Sequence, residues 1–346
     1  MVNPQRWVFY ALGGGLGHLT RAVALGRAVT RWGNSEGQPL TIDLLTNSPF
    51  ASAVNVSAEL GSEHRVIALS PQWNRDETAT YTVDFLSKTP CDYLVVDTFP
   101  RGLCGELSEV LPKLACRKVL VHRDLNPKYI QQFDLLNCTD QFDQLVLPGE
   151  SAPFETCAHA FRTKPWLIRD HEELFPPNLA RDRLAVDSDS VPIVAVMGSG
   201  KVHEVDQMKE LAWDLARSLG KSVAVRFITP HQQVVPEDEF CSPHFATIPL
   251  WPFFPLIRAT SVIVGGGGYN TVQEARATAT PFVGCPQPRL YDRQWRRLKP
   301  YETALTPHEV LKRVADALEQ KPPGQTHHPY FENGVRQAVW HIANAG

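Results

Sequence analysis

Nowhere does this 346-residue chain hold the roughly 20 consecutive apolar residues that a membrane-spanning helix needs. The apolar run nearest the N-terminus, Trp7-Val8-Phe9-Tyr10-Ala11-Leu12, gives way to glycines instead of the cleavage site of a secretion signal. C-x-x-C pairs are missing too. The seven cysteines (Cys91, Cys104, Cys116, Cys138, Cys157, Cys241, Cys285) are odd in number and scattered, which argues for reduced thiols and against a disulfide framework or a zinc site. Nor does one sign of charge dominate: the formal net charge of -3 lacks the basic excess of a nucleic-acid binder. These absences predict a soluble, cytoplasmic protein with no transmembrane segment and no nucleic-acid partner, and leave peripheral contact with a membrane surface open.

What is present is enough apolar material, 43% of residues, to build packed cores, and a length that predicts two domains. Short apolar runs rich in β-branched residues alternate with helical patterns, the signature of parallel βαβ units. In the first half the expected strands are Trp7–Leu12, Thr41–Leu45, Arg65–Leu69, Tyr93–Val96, Lys118–Val121 and Gln144–Leu147, with a helix over Leu19–Thr30. A second series begins after Pro192: strands at Ile193–Met197, Ser222–Ile228, Thr247–Ile248 and Ser261–Val264, and helices at Val205–Leu219, Thr271–Thr278 and His308–Gln320. A last helical pattern spans Gly334–Asn344. The division expected is a domain over 1–165, a Pro-rich and polar linker over 166–190, a second domain over 191–325 and a C-terminal helix over 326–346 that could pack back on the first. The fold class expected is α/β, two Rossmann-like doubly wound domains facing a central cleft. Such sheets bind ligands beyond the carboxyl ends of their strands.

Three glycine turns carry the chemistry. Gly13-Gly14-Gly15-Leu16-Gly17-His18 follows the first strand and opens the first helix. It breaks the dinucleotide fingerprint, because the position of the last glycine is His18. An imidazole there could take a proton from an acceptor hydroxyl, or could simply bond local backbone. Met197-Gly198-Ser199-Gly200-Lys201 fails as a P-loop, with Ala195 and Val202 at two required positions, yet its amides and the Ser199 hydroxyl could hold a diphosphate. Finally, Val264 runs into Gly265-Gly266-Gly267-Gly268, then Tyr269-Asn270-Thr271-Val272-Gln273-Glu274. Glu274 could complete a capping box with Thr271 as N-cap, or could accept both hydroxyls of a ribose. Four successive glycines favour a ligand passing close to the backbone.

On these residues the chain resembles inverting glycosyltransferases of the GT-B fold, in the style of the MurG-like and UDP-sugar transferase branch. The matching elements are Gly14-Gly15-Leu16-Gly17-His18, Gly198-Ser199-Gly200, and Gly265–Gly268 with Thr271, Glu274, Pro281, Pro286, Asp292 and Gln294, in the same order along nearly the whole chain. The resemblance implies a hexosyltransferase moving a sugar from a nucleotide-sugar donor, UDP-linked, to an acceptor (glycan, lipid-linked or small molecule), inverting and without a metal or other cofactor. His18 would be the base. Gly198, Ser199, Gly200, Gly266, Gly267, Gly268, Asn270, Thr271 and Glu274 would hold the donor, and Asp292 and Gln294 would approach its sugar. The loop Leu250-Trp251-Pro252-Phe253-Phe254 matches the one that reads the base, so Phe253 and Phe254 are donor candidates or core. Gly15, Leu16 and Gly17 would lie on the acceptor side. The departure is Arg293, Arg296, Arg297 and Lys299, which follow Asp292 as a solvated face or as an anion-neutralising cluster.

Two further strand ends supply candidates. Asp97, closing Tyr93–Val96, could orient His18 or an acceptor, or could cap the next helix. His122 and Arg123 could contact the acceptor. They are not a kinase loop, because Tyr129 stands where its Asn is required. No metal site is expected: Asp187-Ser188-Asp189 lies in the expected linker, and His327-His328 lacks further ligands at suitable spacing. A non-hydrolysing nucleotide-sugar epimerase and a non-catalytic nucleotide-sugar-binding subunit are the competing expectations.

Overall fold

The computed structural model describes residues 3–230, 244–320 and 329–344; Cys241, His327 and His328 lie outside them. The chain divides into two compact units: Met1–Ile168 with Leu290–Asp292 and Asn333–Gly346, and Arg169–Arg289 with Arg293–Glu332.

The first unit is built on a parallel sheet of β1 (Gln5–Ala11), β2 (Leu40–Thr46), β3 (Arg65–Ala68), β4 (Tyr93–Asp97), β5 (Arg117–Val121), β6 (Gln144–Pro148) and β7 (Ala160–Thr163). Its order is β3-β2-β1-β4-β5-β6-β7. A parallel strand is covered on both faces, so it reads as an unbroken apolar run. Trp7 to Leu12 is such a run, and every residue in it is buried. The helices are α1 (Leu16–Glu36), α2 (Val56–Leu60), α3 (Arg75–Lys88), α4 (Leu107–Val110), α5 (Pro127–Phe133) and α6 (Leu135–Thr139). Helix α3 starts at a capping box: Asn74 Oδ1 accepts the Glu77 amide at 2.9 Å, and Glu77 returns a carboxylate to the Asn74 amide at 2.7 Å.

In the second unit, α7 (Pro177–Arg183) precedes β8 (Ile193–Met197), α8 (Val202–Leu219), β9 (Ala224–Thr229), β10 (Phe245–Pro249), β11 (Val262–Gly265), α9 (Tyr269–Ala277), β12 (Phe282–Gly284) and α10 (Pro307–Gln320). The parallel order is β10-β9-β8-β11-β12. Helix α11 (Gly334–Asn344) belongs to the first unit and lies against α1, β6 and β7 through buried Val335, Ala338, Val339 and Ile342.

Both sheets have the doubly wound pattern, in which strand order reverses beside the first strand. The reversal falls between β1 and β4 in one unit and between β8 and β11 in the other. Residues at the carboxyl ends of these four strands are therefore the ones placed for ligand binding.

Three expectations are corrected. Residues 166–190 are not a linker. Trp166, Leu167 and Ile168 are buried in the first unit, where the Asn333 side chain bonds both the amide (3.0 Å) and the carbonyl (2.8 Å) of Leu167. From Arg169 onward the segment folds into the second unit, where buried Arg226 donates to the carbonyls of Leu184 (2.6 Å) and Ala185 (2.7 Å) at the end of α7. Strands β7 and β12 were not expected, being too short for a periodic signal. Helix α9 begins at Tyr269, not Thr271, with Gly268 as an extended N-cap.

Candidate functional site

In the first unit, the turn after β1 leads into α1 at Gly15, the N-cap, so Leu16 and Gly17 form its first residues. His18 and Arg21 then stand one turn apart on α1, on the same side of the helix. Asp97 ends β4 directly alongside β1. These placements bring the three side chains together. His18 Nδ1 lies 2.5 Å from Asp97 Oδ2, while Arg21 grips the same carboxylate with two bonds, Nε to Oδ1 at 2.9 Å and Nη2 to Oδ2 at 2.6 Å. Arg21 was not among the sequence candidates. Its only signal was the His-x-x-Arg spacing on the first helix.

Electrostatics fix the proton. Burial alone would raise the Asp97 carboxyl, but the Arg21 guanidinium and the His18 ring outweigh it and hold it well below the usual carboxylate range. Burial lowers the His18 ring below the ordinary imidazole value; Asp97 opposes this, and Arg21 and Arg123 reinforce it. A neutral ring beside an ionised carboxylate carries its proton on Nδ1, donated to Asp97. Nε2 keeps a lone pair, and among the described residues no hydrogen bond reaches it. This is the arrangement of a general base held in one tautomer.

The surroundings hold the ring in place. Its face stacks on Phe99, with centroids 5.4 Å apart. A Cβ on Gly13 would fall 2.3 Å from His18 Cδ2, so only glycine leaves room for the imidazole there. The Gly13 amide is tied to Asn47 Oδ1 at 2.7 Å. Thr98 has φ +74°, a left-handed conformation that costs a β-branched residue about 1–3 kcal/mol. Its amide bonds Val121 O at 3.0 Å, and its hydroxyl accepts from Arg21 at 3.2 Å. Such strain gathers where geometry serves function.

Of the other first-unit candidates, Arg123 is buried and paired with Glu150 Oε1 at 3.0 Å. His122 corrects the acceptor-side expectation. It is fully buried, stacked on Phe154 with centroids 5.0 Å apart, and accepts the Phe154 amide on Nε2 at 3.3 Å. Burial lowers its pKa to about 4, so it is a neutral core histidine.

In the second unit, Gly198-Ser199-Gly200 follows β8 and Gly265–Gly268 follows β11, so both turns sit at the strand reversal. They differ in how much is already satisfied. After β8, the Gly198 amide bonds Ile228 O (2.7 Å) and the Lys201 amide bonds Glu204 Oε2 (2.8 Å). Burial alone would raise the Glu204 carboxyl, but hydrogen bonds from Arg289 and the Lys201 amide bring it below its usual value. A carboxylate thus occupies the first turn of α8, and Arg289, absent from the sequence candidates, neutralises it. The expected row of open amides at Gly198–Gly200 is corrected accordingly: Gly198 is taken.

The turn after β11 has the opposite character. Gly268 caps α9 with no side-chain bond, and the first turn of α9 holds no acid, so its positive end is uncompensated from within the helix. A Cβ on Gly267 would meet the Gln294 carbonyl oxygen at 2.6 Å, and one on Gly266 would lie 3.4 Å from Gln294 Oε1. Gln294 is thereby placed against the glycine elbow, where its Oε1 also accepts the Gln287 amide at 2.9 Å. Asn270 and Thr271 are half-buried in the first turn of α9. Glu274 stands one turn further, which overturns the capping-box reading with Thr271. Only 8% of it is exposed, and among the described residues its carboxylate makes no hydrogen bond. Burial pushes its pKa up to about 8, with the Arg169 guanidinium opposing. Desolvation makes the charged form of this carboxyl costly, and a hydroxyl-bearing ligand would relieve that cost.

One donor-side expectation is corrected. Phe253 and Phe254 are both buried, and Phe254 packs on Phe331 with centroids 5.6 Å apart; their side chains are core. Leu290, Tyr291 and Asp292 belong to the first unit. There the Asn126 amide bonds Tyr291 O at 2.9 Å, and the Tyr291 ring meets Phe99 and Tyr129.

No protein-family model and no curated protein matches this sequence. Solved structures do match over almost the whole chain. The glycosyltransferase SnogD from Streptomyces nogalater is similar at 12% identity, covering 99% of this chain and 100% of that one, with a TM-score of 0.58. A UDP-GlcNAc 2-epimerase from Neisseria meningitidis bound to UDP-GlcNAc is similar at 11% identity, with 99% of each chain covered and a TM-score of 0.62. A UGT transferase from Siraitia grosvenorii in complex with UDP shares 13% identity over 98% of this chain and 94% of that one, with a TM-score of 0.53. Identities this low establish architecture. The chain has the GT-B fold, two Rossmann-like units each carrying a parallel sheet.

Proposed function

We propose that this protein is a glycosyltransferase that uses a nucleotide-sugar donor, most simply a UDP-sugar, and inverts the anomeric centre in one step. The observation that carries the reading is the pairing of an ionised Asp97 with a neutral His18 whose Nε2 is open, at the strand reversal of the first unit. His18 takes the proton of an acceptor hydroxyl as that oxygen attacks the anomeric carbon; Asp97 and Arg21 orient the ring and stabilise the imidazolium that forms. The second unit holds the donor: Glu274 receives the ribose hydroxyls, and the diphosphate faces the glycine elbow and the amino end of α9. Arg289, beside the Gly200 turn, offsets the Glu204 carboxylate there. In this reading the departing diphosphate is stabilised by amides and a helix end, without a metal.

The competing reading, a non-hydrolysing epimerase, is kept by the fold shared with the UDP-GlcNAc 2-epimerase and is separated by one incubation. A UDP-sugar given without acceptor should come back with its stereochemistry unchanged, and UDP should appear once an acceptor is added. Epimerised donor in the acceptor-free tube would overturn the transferase assignment. Before that, a thermal-shift series with UDP, GDP, TDP and their sugars should show one nucleotide raising the melting temperature, since a ligand selective for the folded state stabilises it. If no nucleotide does so, the donor reading fails. A non-catalytic subunit would show the thermal shift and release no nucleotide with any acceptor.

A further inference from the structure

We propose that Cys91 and Cys116 form a peroxide-reactive dithiol, a modification site at which hydrogen peroxide joins the two sulfurs in a reversible disulfide. The two residues are far apart in the chain, and the first sheet brings them together. Cys91 stands two residues before β4, and Cys116 immediately before β5. These strands are neighbours in parallel register, with Tyr93 opposite Arg117. Neighbouring strands run about 4.8 Å apart, within the roughly 4.4–6.8 Å that a disulfide spans between Cα atoms. The thiols are already in contact: the Cys91 sulfhydryl donates a hydrogen bond to the Cys116 sulfur. Cys116 is buried and Cys91 half-buried, both against the same apolar core. The backbone between them is fixed, because the Arg117 amide donates to Asp92 O at 2.9 Å and the Asp92 amide to Arg6 O at 2.9 Å.

The surroundings give the two sulfurs different roles. The hydrogen bond from Cys91 and the Lys118 ammonium bring the Cys116 thiol below its ordinary value, against burial and the Asp143 carboxylate. That ammonium is held in place by donating to Cys116 O at 3.1 Å. Donating the hydrogen bond, together with burial, keeps Cys91 protonated. Burial also raises the thiols of Cys104, Cys138 and Cys285, the last up to about 11. The thiolate is the attacking form, so Cys116 reacts first. Its sulfur takes one peroxide oxygen as the O–O bond breaks, leaving a sulfenic acid, and the departing hydroxide picks up a proton to become water. Cys91 then attacks that sulfur, and its thiol proton leaves with the displaced hydroxide as a second water. One S–S bond replaces two thiols, and the two electrons lost by sulfur reduce one peroxide to two waters. A small dithiol reverses the step by exchange. The link ties the amino ends of β4 and β5, whereas Asp97 stands at the carboxyl end of β4.

The test treats the full chain with hydrogen peroxide, alkylates the remaining thiols after denaturation and maps the peptides by mass spectrometry. A peptide joining Cys91 to Cys116 should appear, lighter by about 2 Da than its two reduced parts. The remaining cysteines should stay alkylated, and dithiothreitol should restore both thiols of the pair. The oxidised chain should melt at a higher temperature than the reduced one, because a link between groups already in place restricts the unfolded chain without bending the folded one. Cys91→Ser should let Cys116 accumulate as a sulfenic acid that dimedone labels, whereas Cys116→Ser should leave Cys91 reduced. Both thiols still alkylated in the treated parent, or a link from either to another cysteine or another chain, overturns the proposal. So does a lowered melting temperature on oxidation, which would mean that the bond forms only by distorting the sheet. Dimedone on Cys91 in the Cys116→Ser variant would overturn the order of attack.

Discussion

At the scale of single residues, the first unit commits a buried cation, a buried anion and an imidazole to one point. Arg21 is nearly inaccessible, and its charge is balanced there by Asp97, which accepts two of its hydrogen bonds. Replacing Arg21 by Met should therefore do two separable things. It should cost about 3–5 kcal/mol of stability, the usual loss when one partner of a buried ion pair is removed. It should also move the acid limb of the pH–rate profile upward, because the Arg21 charge is one of the groups holding the His18 pKa down. The parent protein should keep its rate below the ordinary imidazole range, since a lowered pKa preserves the free base to lower pH. An acid limb that stays in place in the Arg21 variant would remove Arg21 from the base assignment. His18→Ala should reduce kcat by about 10²–10⁴ with nucleotide affinity unchanged. Gly13→Ala should behave similarly, because its methyl would displace the ring.

Elements show best what could be read from the chain alone. Strand β1 and the turn to His18 were legible because a strand covered on both faces is a continuous apolar run and the following glycines mark its end. The same logic located β8, β11 and the glycine elbow. The partnership of His18 with Arg21 and Asp97 was only half legible, because sequence spacing cannot show that β4 lies next to β1. Strands β7 and β12 had too few residues to show a period. Thr271 and Glu274 have capping-box spacing, yet the helix starts two residues earlier, where Gly268 is extended and Tyr269 is buried. That difference turns Glu274 from a cap into a buried carboxyl.

A test of Glu274 follows from the sign of its shift. Its folded pKa of about 8 exceeds the unfolded value, so between those two pH values the unfolded chain releases a proton that the folded chain keeps. Its contribution to stability is complete at low pH and erodes as pH rises. Glu274→Gln should accordingly raise the melting temperature at pH 7 and leave it unchanged near pH 4. Glu274→Ala should weaken nucleotide binding by about 10–100-fold, the scale of one or two hydrogen bonds to a charged or polar partner. Unchanged affinity, measured by calorimetry, would leave Glu274 a purely structural group. Gly267→Ala sets a methyl against the Gln294 carbonyl and should destabilise by about 1–3 kcal/mol, read as a lower denaturation midpoint.

For the whole molecule, the informative fact is that the first unit is written in three separate parts of the chain. Helix α11 returns after the entire second unit and seals the α1 face, and it enters through Gly334, where any Cβ would lie 1.9 Å from Lys164 O. Gly334→Ala should unseat it. Hydrogen exchange should then quicken in α1 and β6 while the α8 and α9 amides keep their protection. Equal loosening in both units would mean that α11 supports the second unit as well.

This topology also decides how the protein responds to a cut. A protease that severs the backbone near Ile168–Arg169 breaks only one of the connections that hold the chain's parts in register. The larger fragment still owns the helix that closes the smaller one, so the two pieces should co-elute and part only under denaturant.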